Sequence, residues 1–272
     1  MQLSNQPLDT SGSRRPACLL LHGLGAGVFE VCLLARFLQE RGYPVRAFNF
    51  PGHEGQGPIM PASRWQQWYG AVEREFLGVR ERYGTVAVLG FSTGGTLALH
   101  LAAQQPVAAL VLLAPFLKLY QPPWLPVSLE GLVKSPLPYL IPTVPRLDPP
   151  IRDPQLRRLA SQVRPYQTFS TWAVRSALDL IEVVKRELPQ ITAPTLIIQS
   201  PLDQVVDPQG SQVIYEQIGS DRKQLLWLKA SDHIIGLDVE RQEIFAAIED
   251  FLLQLDPQPS SGSTATDPLS SA

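Results

Sequence analysis

Cysteine is almost absent from this chain: Cys18 and Cys32 are the two among 272 residues. That count excludes a disulfide-stapled scaffold. Both fall in apolar surroundings, on a predicted strand and the helix after it, where they read as small buried hydrophobes in a reducing, cytoplasmic compartment. No run of about eighteen apolar residues exists, so no integral membrane segment is expected. The longest apolar stretch, Val107 to Leu117, is broken by Pro115 and reads as a buried strand. Met1 to Pro16 lacks the apolar centre of a secretory leader, and 1–16 is expected to be a flexible N-terminus. Charge of one sign is lacking too. Lys and Arg number 23 against 25 Asp and Glu, for a net charge of −2. Neither a nucleic-acid partner nor an anionic membrane is suggested by that balance.

What is present suits a large core. At 44% hydrophobic, the chain has enough apolar surface for one α/β domain with an insertion. Predicted strands at Ala17 to His22, Val45 to Asn49, Thr85 to Leu89 and Val107 to Leu113 alternate with predicted helices at Phe29 to Arg41, Ser63 to Tyr83 and Thr93 to Gln105. The strands are continuous apolar runs rather than alternating ones. They therefore predict a mostly parallel central sheet covered by helices on both faces.

The alternation stops at Phe116. Nine prolines lie between Phe116 and Pro150, a density that excludes long regular elements. Helices are predicted again at Leu156 to Val163 and Thr171 to Leu188. Strand–helix order returns with Thr195 to Gln199, Pro208 to Gly219, Gln224 to Lys229 and Val239 to Leu255. The chain thus divides into a core of 17–115 and 190–256 with a cap inserted at 116–189. A Ser/Pro/Thr-rich tail at 257–272 is expected to be disordered.

The chemistry centres on Gly90-Phe91-Ser92-Thr93-Gly94, a G-x-S-x-G pattern between a predicted strand and a predicted helix. Such a turn strains the serine backbone and projects its hydroxyl, while the glycines leave room for neighbouring backbone. A nucleophilic serine needs a base, and the base needs an orienting acid. His233 follows the strand that ends near Lys229, and Asp203 follows Thr195 to Gln199. Ligands of a parallel sheet gather at these carboxyl ends. Asp207 is the second choice of acid, but it directly precedes Pro208 and reads as a helix N-cap. His22 reads as a structural residue of its loop. His53 divides evenly between loop architecture and a pocket wall. His100, on the helix after the serine, reads as packed or exposed. Asp203, Asp232, His233 and Asp238 lack a zinc spacing, so neither metal nor cofactor is expected. Oxyanion donors are expected from the Thr93 N–H, at a helix start, and the Leu24 N–H, in the glycine loop after the first strand.

These stretches resemble one family. Leu20-Leu21-His22-Gly23-Leu24-Gly25, Phe50-Pro51-Gly52-His53, Leu89 to Gly95, Ala193 to Gln199 with Asp203, and Ser231 to Asp238 are similar to bacterial carboxylesterases of the α/β-hydrolase fold, in the monoacylglycerol-lipase-like branch. The resemblance covers the core from about Ala17 to Leu255. It implies catalytic roles for Ser92, Asp203 and His233 and oxyanion N–H groups at Leu24 and Thr93. The chain departs from the family pattern at Ser200-Pro201-Leu202, at Glu54 to Gly57 and in the proline-rich half of its cap. The first two reshape the rim of a pocket without removing a catalytic group, and the third means that the family's substrate preference does not carry over.

The expected function is a serine hydrolase taking a small-molecule carboxylic ester, with short- to medium-chain acyl groups or monoacylglycerols. The cap residues Phe116, Trp124, Leu125, Leu132, Tyr139 and Leu140 are candidates for an acyl-chain pocket, although any of them also suits ordinary cap core. Acyl transfer, thioester hydrolysis and C–C bond hydrolysis use the same three residues. A non-catalytic binding protein on this scaffold would not need them intact. A dehalogenase or epoxide hydrolase would carry a carboxylate at the elbow. Oligomeric state is open in the sequence.

Overall fold

The computed structural model describes residues 2–255. The expected disordered tail, 257–272, lies outside the described residues. The chain opens with β1 (Leu8–Thr10), β2 (Ala17–Leu21), α1 (Cys32–Glu40), β3 (Val45–Ala47) and α2 (Trp65–Tyr83). The centre follows with β4 (Val86–Phe91), α3 (Thr93–Gln104) and β5 (Ala109–Leu113). The insertion then holds α4 (Leu129–Lys134), α5 (Leu137–Leu140), β6 (Thr143–Pro145), α6 (Pro154–Val163), β7 (Thr168–Ser170) and α7 (Thr171–Glu187). The core closes with β8 (Thr195–Gln199), α8 (Gln209–Gln217), β9 (Lys223–Trp227) and α9 (Arg241–Leu253).

Among the described residues, seven strands form one sheet in the order β1-β3-β2-β4-β5-β8-β9. β1 runs antiparallel to β3 and every other pairing is parallel. The α/β-hydrolase architecture is therefore the observed one. Burial on both faces explains why the strands read as unbroken apolar runs. Cys18 and Leu20 of β2, with Ala87, Leu89 and Phe91 of β4, pack into one core with α1 and α9. Ala17, Leu19 and Leu21, with Val86 and Val88, pack into the other with α2, α3 and α7.

The flexible N-terminus expected at 1–16 is corrected. Leu8 pairs with Ala47 and Thr10 with Val45, Leu3 is buried, and Asn5 accepts from the Phe29 N–H at 3.3 Å. A three-residue edge strand carrying one aspartate has no apolar pattern to announce it, and its stability comes from pairing with β3. In the proline-rich half of the insertion the elements are short pieces, α4, α5 and β6, the last pairing with β7 so that Val144 faces Phe169. Among the described residues no helix is long and apolar enough to cross a membrane. Cys18 and Cys32 are buried and unpaired.

Candidate active site

β4 ends at Phe91 and α3 begins at Thr93, leaving Ser92 alone to make the turn. Its backbone takes φ 53° and ψ −119°, outside the regions a serine prefers, at a cost of roughly 1–3 kcal/mol. The turn is held on three sides. Ser92 N–H donates to Leu113 O at 2.9 Å, while Ser92 O accepts from Gly95 N at 2.9 Å and Phe116 N at 3.1 Å. A Cβ on Gly94 would lie 2.5 Å from Leu21 O and 2.6 Å from His22 O. The backbone entering the glycine loop after β2 thus lies directly against the first turn of α3. A side chain at position 94 would push the two apart.

Asp203 and His233 arrive from the ends of β8 and β9. His233 Nδ1 donates to Asp203 Oδ2 at 2.7 Å, and its Nε2 faces Ser92 Oγ at 3.1 Å. With Nδ1 committed to the carboxylate, Nε2 is left to accept the serine proton. All three side chains are buried. Asp203 Oδ1 also accepts from Val205 N at 2.8 Å and Val206 N at 3.0 Å. Burial opposes ionisation of Asp203, but the charge and hydrogen bond of His233 and these two amides outweigh it and lower the pKa. Burial likewise opposes the His233 imidazolium, yet the Asp203 charge and hydrogen bond leave its pKa above the ordinary value.

Two further carboxylates shape the histidine loop. Asp238 Oδ2 accepts from Asp232 N at 2.7 Å, and its Oδ1 from Arg152 N, Asp153 N and Val239 N at 2.8, 2.9 and 2.8 Å. Glu240 accepts from the N–H groups of Lys229, Ala230 and Ser231. Asp207, the second choice of acid, caps the start of α8 through Gln209 N at 2.9 Å and pairs with Lys118.

The loop after β2 is equally restrained. His22 Nδ1 donates to Gly23 O at 2.8 Å, and its Nε2 accepts from Phe50 N at 3.1 Å. Burial, reinforced by nearby His53, keeps this imidazole neutral. His53 is buried against Phe50 and Trp68 and faces Pro51 O at 3.3 Å, which gives it a part in loop architecture. His100 pairs with Glu187 at 2.7 Å on the far side of α3.

Two charged residues that belong to none of the sequence motifs also meet at this loop. Glu30 is buried and accepts from Gly23 N at 2.9 Å. Burial raises its carboxyl pKa to about 7, against the pull of Arg146. Arg146, from the insertion, donates through Nη1 to Gly25 O and lies 4.5 Å over the Phe169 ring. Glu30 leaves one sequence signal, a lone acid inside the apolar stretch Val28 to Leu34. Arg146 leaves none.

The candidate acyl-chain residues divide. Phe116 is buried in the core beside α3, with its backbone against Ser92. Leu125 and Leu132 are half-buried. Trp124, Tyr139 and Leu140 are 79%, 72% and 81% exposed, so they do not form an enclosed pocket, which corrects that expectation. Tyr139 instead meets Trp172 edge-on at 4.6 Å and lines a cleft of about 590 Å³ between the N-terminal end of α2 and α7. Among the described residues, no group of three or more His, Cys, Asp or Glu side chains is placed to hold a metal ion.

Known proteins resemble this arrangement over most of its length. Residues 12–240 match the model of the serine aminopeptidase S33 family, Hydrolase_4. A carboxylesterase of Bacillus subtilis (strain 168) is 26% identical over 241 residues, spanning 88% of this chain and 93% of that protein. A thermostable monoacylglycerol lipase of Bacillus sp. (strain H-257) is 27% identical, over 83% of this chain and 86% of the lipase. Among solved structures, one from work on the metagenome-derived lipolytic enzymes LipS and LipT superposes with a TM-score of 0.82 at 27% identity, covering 93% of this chain and 100% of that one.

Proposed function

This chain belongs to the Hydrolase_4 family, and from that premise we propose that it is a serine hydrolase cleaving small carboxylic esters, of short- to medium-chain acids or of monoacylglycerols, through an acyl-enzyme. The observation that carries the reading is the hydrogen-bonded line from Asp203 through His233 to Ser92 on a strained strand-to-helix turn. The carboxylesterase and monoacylglycerol lipase relatives support an ester as the bond that is broken.

Ser92 Oγ attacks the ester carbonyl carbon while His233 Nε2 takes its proton. The carbonyl π electrons move to oxygen, and the Leu24 and Thr93 N–H groups hold the resulting oxyanion. The tetrahedral intermediate then collapses. His233 passes its proton to the departing alcohol oxygen, and the acyl group stays on Ser92. Water attacks the acyl-enzyme with His233 again as base, and a second collapse releases the carboxylic acid and restores the serine hydroxyl. Asp203 stays ionised throughout, orienting the imidazole and favouring its charged form. The two buried, unpaired cysteines suit a reducing compartment, and we assign the chain to the cytoplasm.

A substrate panel tests this reading: p-nitrophenyl esters and monoacylglycerols of graded chain length, a thioester, and amino-acid anilides of the kind a serine aminopeptidase would cleave. Ester hydrolysis that is lost in Ser92→Ala supports the proposal. Cleavage of anilides with no action on esters contradicts it.

A further inference from the structure

The candidate oxyanion donor at Leu24 sits in a short stretch whose flanking peptide groups are pinned one by one. The Gly23 N–H is held by Glu30 at 2.9 Å. The Gly23 carbonyl shares a peptide plane with the Leu24 N–H, and it accepts from His22 at 2.8 Å. Because a trans peptide points its N–H opposite to its carbonyl, that bond fixes the direction of the donor. The next clamp acts on the Gly25 carbonyl and comes from outside the core, through the Arg146 guanidinium.

Arg146 is itself held in place. Its N–H donates to Gln167 O at 2.9 Å, continuing the β6·β7 pairing. Its guanidinium lies over Phe169, the residue of β7 opposite Val144. Phe169 covers Gly25 so closely that a Cβ there would lie 2.8 Å from its ring, and Gly25 has φ +68°. Position 25 thus requires glycine both for its left-handed backbone and for the ring above it. β7 and the residues before it are further tied to the 57–60 loop by Met60 N donating to Thr168 Oγ1 at 3.1 Å and Gly57 N donating to Pro165 O at 2.9 Å. Arg146 is partly buried, which is costly for a guanidinium. Burial lowers the Arg146 pKa, with the Glu30 charge acting the other way.

We propose that Arg146 is a positioning residue for ester hydrolysis, holding the oxyanion loop from the insertion so that seating of the insertion and assembly of the oxyanion site are one event. The inference rests on the functional reading above, with the Leu24 N–H as donor. Arg146 acts through Gly25 and does not touch the substrate. Its removal therefore affects the transition state more than ground-state binding.

The test compares R146A and R146K with the full wild-type chain on p-nitrophenyl butyrate, and with a trifluoromethyl ketone whose serine hemiketal carries an oxyanion. In R146A, kcat is expected to fall about ten- to a hundredfold with KM within about twofold. Ketone affinity is expected to fall by a similar factor, and R146K to recover part of both losses. Unfolding midpoints check the fold. If R146A does not fold, R146K carries the test with a smaller loss in kcat and ketone affinity. An unchanged kcat overturns the inference, and so does a raised KM with kcat retained, which would make Arg146 a substrate contact. A wild-type chain that hydrolyses no ester overturns the functional reading and this inference with it. An active wild type with an indifferent Arg146 overturns the inference alone.

Discussion

Gly94→Ala isolates the contact between the start of α3 and the loop after β2. The new methyl would begin 2.5 Å from Leu21 O, 2.6 Å from His22 O and 2.7 Å from Leu21 C, where ordinary contact starts at 3.4 Å. All three atoms are backbone, so no side chain can swing aside. The loop or the helix start has to retreat by roughly 0.5–1 Å, with a destabilisation of about 1–3 kcal/mol. Such a displacement moves the Leu24 N–H relative to Ser92, and misplacement on this scale lowers kcat about a hundredfold. Gly78→Ala is the control. It lies inside α2 with open space around its Cβ position and should stabilise the chain by about 0.5–1 kcal/mol with kcat unchanged. The assay measures kcat and KM on p-nitrophenyl butyrate, corrected for folded fraction by thermal unfolding. Full activity in Gly94→Ala, or a loss explained entirely by unfolded protein, refutes the reasoning.

Other predictions concern charge. His233 must be neutral to accept the Ser92 proton, and its pKa is raised above 6.5. The kcat/KM profile should therefore fall as pH drops through a midpoint above 6.5, whereas a midpoint below that value would contradict the electrostatic account. Glu30 contributes to that rise, so Glu30→Gln should move the midpoint to lower pH; a shift upward would refute this assignment. Asp203→Asn keeps an acceptor for Val205 and Val206 but alters the His233 partner, and kcat should drop about 10³–10⁴-fold. Near-normal turnover would show that another group orients the imidazole. Asp238→Ala removes a buried carboxylate that accepts from the part-buried N–H groups of Arg152, Asp153, Asp232 and Val239 and should cost about 2–3 kcal/mol, lowering Tm by roughly 5–10 °C. A calorimetric change below about 2 °C would show that water satisfies these amides.

The core was legible because a parallel strand covered on both faces has to be apolar throughout. Thr195 to Gln199 was predicted with the observed bounds of β8, and Ala17 to His22 runs one residue past β2. Ser92, Asp203 and His233 were legible for a related reason. Each follows a recognisable strand, and strand ends converge in this topology. β1 was not legible because a three-residue edge strand takes its stability from its partner. The β6·β7 pair was hidden by surrounding prolines. In the insertion, composition marked Trp124, Tyr139 and Leu140 as apolar but held nothing about which way they face. Glu30 is buried and Arg146 partly buried through contacts between distant segments, Arg146 reaching Gly25 from 121 positions away. Local pattern does not encode such contacts.

Covalent trapping tests the central claim most directly. The chain is titrated with a fluorophosphonate while hydrolysis of p-nitrophenyl butyrate is followed, and the adduct is located by mass spectrometry of its peptides. The account predicts one adduct per chain, on Ser92, with activity lost in proportion to labelling and no labelling of Ser92→Ala. An adduct on another residue, or hydrolysis that survives complete labelling of Ser92, would contradict it.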